Sequence, residues 1–391
     1  MNVLPVTKAL EETVGDCRYC PKMCRHACPV AEAEASEAAT PTWKGTLAHA
    51  WMRGELPLAG AVAEAAYKCT DCLLSREACL YRHEVPEPYA AVRTAAFVAG
   101  VAPARALSYA ERVRRLGNPF EAGLSARLAA IVGPGERATD VLLPAERAAD
   151  VVLFPGCTAV RHDLDLVRDA RAVFARVERA PLRVCEKGGA CCGYPLYAAG
   201  DLDGFRALAR EASAGLSSAR EVIALDPGCA HTMSQLWPRL GVRAPARVTT
   251  LVERLAERLD AVRAAVRAPI ERATFSYHDP CYLGRHRGVY EAPRALLAAA
   301  CGGRAPVELA TSREGAWCSG AGSCYSKVNP PGASSIRDRR LAEHAECGAS
   351  VLTTACPSAR RFLAKGLAAA APAPLDVVAV LAIAVGARPV V

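Results

Sequence analysis

The stretch Cys191-Cys192-Gly193-Tyr194-Pro195 constrains this chain more than any other. Two neighbouring cysteines point in different directions from successive backbone positions, so both thiolates can reach one polynuclear metal centre. Gly193, lacking a Cβ, lets the chain turn closely past an inorganic core. Cys157 stands upstream with 33 residues between it and Cys191, and Cys229 downstream with 36 between it and Cys192. A damaged copy follows as Cys281, then Cys318-Ser319-Gly320, then Cys356. Corresponding cysteines are 124, 127 and 127 positions apart (157 to 281, 191 to 318, 229 to 356). The pattern is an internal duplication.

The chain carries 18 cysteines in 391 residues, and their meaning depends on compartment. Met1 to Glu12 shows no apolar h-region and no small-residue cleavage site, so a cytoplasmic location is expected. Unexported cysteines stay reduced, and such spacings then read as metal ligands rather than disulfides. The most apolar run, Val377 to Val385, falls far short of the ~20 residues that span a bilayer. It reads as a buried terminal helix or strand, and any membrane association would be peripheral, through a partner. The net charge of +8 comes mostly from arginines interspersed with glutamates, as in Glu253-Arg254 and Glu257-Arg258. No Lys/Arg block carries interleaved aromatics, which argues against nucleic-acid binding. The length suits two or three domains. With 52% hydrophobic but only 6% aromatic residues, the core must be built mainly from Ala, Val and Leu.

Helical periodicity dominates the first third. Residues 1–16 predict a short helix leading into Cys17, and further helices are expected at Thr42–Arg53, Leu58–Lys68, Glu87–Ala99, Arg105–Leu116 and Leu124–Ile131. No strand is expected before about Asp150. Residues 118–149, with Gly117-Asn118-Pro119 and Gly133-Pro134-Gly135, read as a connector. From Val151 strands and helices alternate. Strands are expected at Val151–Phe154, Pro181–Cys185, Val222–Leu225, Thr274–Tyr277 and Ser350–Thr354, with helices between, which implies parallel α/β layers. In both halves the cysteines fall just past predicted strand ends, where ligands sit in open α/β sheets.

The N-terminal run Cys17-Arg-Tyr-Cys20-Pro-Lys-Met-Cys24-Arg-His-Ala-Cys28-Pro29 and the later run Cys69-Thr-Asp-Cys72-Leu-Leu-Ser75-Arg-Glu-Ala-Cys79 together resemble a bacterial two-cluster ferredoxin. There each Cys-x2-Cys-x2-Cys-x3-Cys-Pro motif gives three ligands to one cubane and its last Cys to the other. The resemblance implies that Cys17, Cys20, Cys24 and Cys79 hold one [4Fe–4S] cluster. Cys28, Cys69 and Cys72 would hold a second, with Ser75 at the missing corner. Two departures matter: three residues rather than two separate Cys20 from Cys24, and Ser75 and Leu80 replace Cys and Pro. The second cluster could be serine-ligated, three-iron, completed by His83, or absent. Structural zinc on Cys17/Cys20 and Cys24/Cys28 is the rival; Pro29 and the second similar run fit iron–sulfur better. For His26 and His83 a satisfied surface histidine is the plainer reading.

The duplicated pattern resembles the cysteine-rich "CCG" domain family, which includes heterodisulfide reductase subunits and the iron–sulfur subunits of glycolate oxidase and anaerobic glycerol-3-phosphate dehydrogenase. The likeness extends over Cys191-Cys-Gly-Tyr-Pro-Leu-Tyr-Ala-Ala-Gly200-Asp201, over Tyr277-His-Asp-Pro-Cys281-Tyr-Leu-Gly-Arg285 and over Trp317-Cys-Ser-Gly-Ala-Gly322. It implies an α plus α/β architecture: an all-helical ferredoxin-like domain (1–117), the connector (118–149), a first Rossmann-like CCG half (150–270) and a second, degenerate one (271–391). An intact half can carry an unusual [4Fe–4S] centre on Cys, Cys-Cys and Cys-x2-Cys. Here Cys157, Cys191, Cys192 and Cys229 remain, with Thr232 in place of the last Cys. The second half keeps Cys281, Cys318 and Cys356, with Ser319 and Ala359 replacing two thiols, unless Cys324 supplies a fourth. Cys185 could be a fifth ligand of the first half or a loop thiol. Cys301 and Cys347 read as packing residues.

His278 and Asp279 precede Cys281 and are the candidate proton-relay residues, tuning the centre through hydrogen bonds or merely capping the turn. Arg285, His286 and Arg287 could meet an acidic partner, though a solvated face is the plainer reading. No Gly-x-Gly-x-x-Gly follows a strand and there is no Walker loop, so a flavin or nucleotide would belong to another subunit. The expected function is an iron–sulfur electron-transfer subunit of an oxidoreductase, working between a flavin-containing partner and a quinone or other carrier. Catalytic disulfide or persulfide reduction at Cys191–Cys192 is the alternative, and a degenerate structural-metal scaffold the third reading.

Overall fold

Threonines and prolines set where the N-terminal helices begin. Thr7 caps Lys8–Tyr19 by accepting from Leu10 N–H at 3.3 Å, and Thr40 caps Pro41–Met52 by accepting from Trp43 N–H at 3.2 Å. Pro41 occupies the first turn, where an absent N–H loses no bond. The computed structural model describes residues 3–144 and 149–389. Further helices run Ala61–Tyr67, Pro86–Val98 and Ala104–Leu116, each within a few residues of its expected span. The stretch Leu124–Ile131 is a 3₁₀ rather than an α-helix.

The chain divides into two compact units. One holds the residues up to Arg115 together with Gly193–Phe205 and Glu314–Arg340. The other holds Leu116–Cys192, Arg206–Arg313 and the residues from Leu341. The two short segments that join the helical unit lie within the α/β halves by sequence. Their hydrogen bonds explain the allegiance: Tyr67 Oη donates to the carbonyl of Ala199 (2.9 Å), and Tyr325 Oη to Glu34 Oε1 (3.0 Å). The apolar core of this unit is built from Val14, Leu47, Val62, Ala66, Tyr89 and Val92.

The second unit contains two sheets in which every described pairing is parallel. The first comprises β1 (Leu142–Leu143), β2 (Ala149–Phe154), β3 (Arg183–Cys185), β4 (Ala219–Ala224) and β5 (Arg247–Thr250), in the order β1-β3-β2-β4-β5. The second comprises β6 (Phe275–His278), β7 (Val307–Glu308), β8 (Val351–Thr354) and β9 (Leu375–Asp376), in the order β7-β6-β8-β9. The order β3-β2-β4-β5 therefore recurs as β7-β6-β8-β9, and the duplication in the cysteines is a duplication of topology. The winding reverses between β2 and β4, and again between β6 and β8. This is the switch point at whose carboxyl edge open α/β sheets bind ligands.

β1 corrects the expectation of no strand before Asp150. It lies in the stretch read as a connector, pairs with Val184 and Cys185, and is too short to show any alternation. The connector's residues 145–148 lie outside the described residues. The run from Val377 forms a helix (Val377–Ala384) that is almost wholly buried, capped by Asp376, which accepts from Val378 N–H at 2.9 Å. No helix among the described residues is long and apolar enough to cross a membrane.

Candidate iron–sulfur sites

In the first sheet the chain leaves β2 through Pro155-Gly156-Cys157 and leaves β4 through Asp226-Pro-Gly-Cys229, so Cys157 and Cys229 flank the switch point. Gly156 has φ +77°, and a Cβ there would stand 3.3 Å from Cys229 Sγ, which leaves little room for any other residue. Cys191 and Cys192 follow β3 and are 1% and 3% exposed. The Cys191 thiol is pushed well up by hydrogen bonding to Cys157 and Cys192, with burial adding to it. That of Cys229 is raised by its bond to Cys192 and by burial. Four thiols from three sequence-distant loops are therefore linked in a row, Cys157 to Cys191 to Cys192 to Cys229. Trp237 Nε1 donates to the Cys192 carbonyl at 2.9 Å and fixes the loop from behind. Thr232, where the family pattern has a fifth cysteine, turns inward and donates its hydroxyl to the Gly228 carbonyl at 2.7 Å, a back-bond within its own helical turn.

Asp226 caps the short helix after β4, with Oδ1 accepting from Gly228 N–H at 2.8 Å and Oδ2 from Ser358 Oγ at 2.5 Å. Ser358 follows Cys356 and lies 3.3 Å from Thr158 Oγ1. The second half's loop is thus pinned to the first half's site. Asp226→Ala should lower stability by about 1–2 kcal/mol through loss of the cap and the serine bond, read as a shifted midpoint in chemical denaturation.

In the helical unit, Cys17, Cys20, Cys24 and Cys79 line one pocket together with Asp16, Thr42, Ser75 and His83. The Cys17 thiol is pushed up to about 12 by burial and then by Cys24, Cys79 and Cys20. Ser75, expected at the second site, lines this first pocket instead. Asp71 and Leu73 both take positive φ (54° and 59°) and turn the chain so that the helix Leu74–Glu77 carries Ser75 across. His83 also stands here rather than at the second run, with Nε2 2.9 Å from Asp16 Oδ2. His26 is exposed on a 3₁₀ turn.

The second run lies on the same unit. Lys44 Nζ approaches Cys28 Sγ at 4.0 Å and donates to the Lys68 carbonyl at 2.5 Å, so one ammonium links Cys28 to the residue before Cys69. Cys72 is 6% exposed. The loop between Cys69 and Cys72 is clamped by Arg93, whose guanidinium reaches Asp71 at 3.3 and 3.2 Å, and by Tyr194 Oη donating to Asp71 Oδ2 at 3.1 Å. Sequence reading missed this clamp: Arg93 sits mid-helix, 22 residues from its partner, with no local signal.

The donor sets suit a polynuclear iron core. Soft thiolates are the right ligands. Clustered, buried thiols resist ionisation, a cost that a cationic core removes.

Comparison with known proteins matches this architecture. A model of the cysteine-rich (CCG) domain matches residues 151–234 and again 275–362. The chain is 31% identical over 305 residues to a subunit of the dihydromethanophenazine:CoB–CoM heterodisulfide reductase of Methanosarcina barkeri, covering 76% of this chain and 72% of that one. The chain belongs to the CCG cysteine-rich domain family. It is also 26% identical over 276 residues to EtfAB:quinone oxidoreductase of Syntrophomonas wolfei (66% of this chain, 36% of that one). Over 96 residues it is 38% identical to a probable membrane-anchored ferredoxin of Chromohalobacter salexigens (25% and 14%). These relatives make it an iron–sulfur oxidoreductase-related protein.

The remaining candidates of this CCG protein are distributed as follows. Cys281 and Cys356 follow β6 and β8 at the second switch point, and Ala359 N–H donates to Cys356 Sγ at 3.4 Å. Cys318 and Cys324 belong to the helical unit. Cys185 donates to the Gly215 carbonyl at 3.7 Å, which occupies it away from the CCG loop. Cys301 packs in the apolar core, and Cys347 donates to the His344 carbonyl at 3.1 Å. Asp279 accepts from Arg294 at 2.7 and 2.9 Å and from Arg313 N–H at 2.9 Å, so its carboxylate is committed to holding the turn. His278 ends β6 at 1% exposure. The reading of residues 285–287 as a solvated face is corrected. Arg285 is 5% exposed, Arg287 pairs with Glu253 at 2.9 Å, and His286 stacks on Tyr282 at 4.2 Å between ring centroids.

Proposed function

We propose that this CCG protein is an electron-transfer subunit of an oxidoreductase, working between a flavin-containing partner and a quinone or other carrier. One observation carries the reading. Four cysteines from distant parts of the chain converge in each unit, Cys157, Cys191, Cys192 and Cys229 in one and Cys17, Cys20, Cys24 and Cys79 in the other. Bound there, [4Fe–4S] cores would take up and release single electrons at potentials set by ligands, burial and hydrogen bonds to sulfur.

The chain's own residues supply those settings. Lys22 N–H donates to Cys20 Sγ at 3.2 Å and Asp71 N–H to Cys69 Sγ at 3.4 Å, while Thr42 Oγ1 lies 3.6 Å from Cys24 Sγ. Each stabilises negative charge on sulfur. Burial of the CCG thiols excludes water from the first-half site. The test is anaerobic purification with iron and sulfide counts and electron paramagnetic resonance, followed by mixing with a reduced flavoprotein and a quinone analogue. Iron, sulfide and a cubane spectrum reduced by the flavoprotein are expected; a colourless chain carrying only zinc overturns the proposal.

Disulfide reduction at the Cys191–Cys192 centre is the second reading, favoured by the similarity to the Methanosarcina heterodisulfide reductase chain. Turnover of a disulfide by the isolated chain, with reduced viologen as electron source, would establish it.

A further inference from the structure

The second ferredoxin-like site is expected to draw on three cysteines, Cys28, Cys69 and Cys72, and the residue expected to complete it, Ser75, lines the first pocket. The loop Trp317–Ser323 belongs to the same unit. Cys318 Sγ lies 3.6 Å from the hydroxyl of Thr70, the residue directly after Cys69, and both atoms are buried. The approach is backbone-deep: a Cβ on Gly322 would stand 2.2 Å from the Thr70 carbonyl oxygen.

A second observation marks Cys318 as a ligand. At Cys20 and Cys69 the residue two positions on takes a positive φ (Lys22, 68°; Asp71, 54°) and points its N–H at the sulfur, at 3.2 and 3.4 Å. Cys318 repeats this arrangement, with Gly320 at φ +83° and its N–H 3.3 Å from Cys318 Sγ. The Thr70–Cys318 approach also matches the 3.6 Å approach of Thr42 to Cys24 at the first pocket. A backbone cradle of this kind stabilises thiolate, and hydrogen bonds to ligand sulfur tune a cluster's potential. Ser319 has already removed the neighbouring thiol that the duplicated pattern would supply.

We propose that Cys318 is the fourth thiolate of the second iron–sulfur site, completing Cys28, Cys69 and Cys72. The loop descended from the degenerate CCG motif has been reassigned to the helical unit's cluster. The assignment rests on the iron–sulfur reading above.

The test uses the full chain, purified anaerobically, with iron counts and electron paramagnetic resonance of the protein both oxidised and reduced with dithionite. Cys318→Ala and Cys69→Ala should each abolish the same signal, or convert it to a three-iron signal, while Cys281→Ala leaves that signal intact. If Cys318→Ala retains the Cys69-dependent signal, or shares its loss with Cys281→Ala instead, the assignment is overturned. A wild-type chain with iron but no Cys69-dependent signal overturns it while the first site stands; a wild-type chain with no iron overturns both. Should the alanine variant lose all its iron, the volume-preserving Cys318→Ser decides. A shifted second-site signal supports oxygen replacing sulfur at that corner, and an unchanged one overturns the proposal.

Discussion

Cys192→Ala is expected to remove the first-half centre, about four iron atoms per chain if that centre is a four-iron core, while the fold survives. Cys192 bonds to both Cys191 and Cys229, so its loss cuts Cys229 off from the Cys157–Cys191 pair. The loop itself is held by other means, because Trp237 grips the Cys192 carbonyl rather than its side chain. Circular dichroism should therefore match wild type while iron and sulfide counts fall. A variant with wild-type iron and spectra would show that these four sulfurs hold no cluster.

Arg93→Leu has the largest expected effect on stability. Arg93 and Asp71 are 1% and 3% exposed, and leucine would strand a buried carboxylate without its guanidinium. Breaking a buried pair from one side costs about 3–5 kcal/mol, a large share of the stability of a typical domain. Because Asp71 also presents its N–H to Cys69 Sγ, the damage should reach the second site as well. The urea denaturation midpoint should fall, and any iron bound by Cys69 should become labile to chelator. The double variant Arg93→Leu/Asp71→Asn should recover part of the lost stability, since it removes the stranded charge; no recovery would mean that packing rather than charge decides.

Much of this was legible in the sequence because cysteine spacing and strand punctuation are local signals. Cys157 and Cys229 could be placed past strand ends from Pro155-Gly156 and Asp226-Pro227-Gly228 alone. The weak strands β1, β5, β7 and β9 escaped because two to four residues leave no periodicity to read, and their existence depends on a neighbour already in place. Ser75 went to an unexpected site because two closely spaced non-glycine residues with positive φ, Asp71 and Leu73, cannot be anticipated from residue type. Arg285 and Arg287 looked solvated because their partners, such as Glu253, lie on elements far away in sequence.

The chain passes between its two units five times, after Arg115, Cys192, Phe205, Arg313 and Arg340. During synthesis on the ribosome, the helices that emerge first must wait for Tyr194 to reach Asp71 and for Tyr325 to reach Glu34. Domains generally fold as units, in order of emergence, but here the earliest segment can be completed only after some 340 residues have been made. Completion of the helical unit is thereby tied to nearly the whole polypeptide, and a cassette cut at residue 117 would lack two of the pieces it needs.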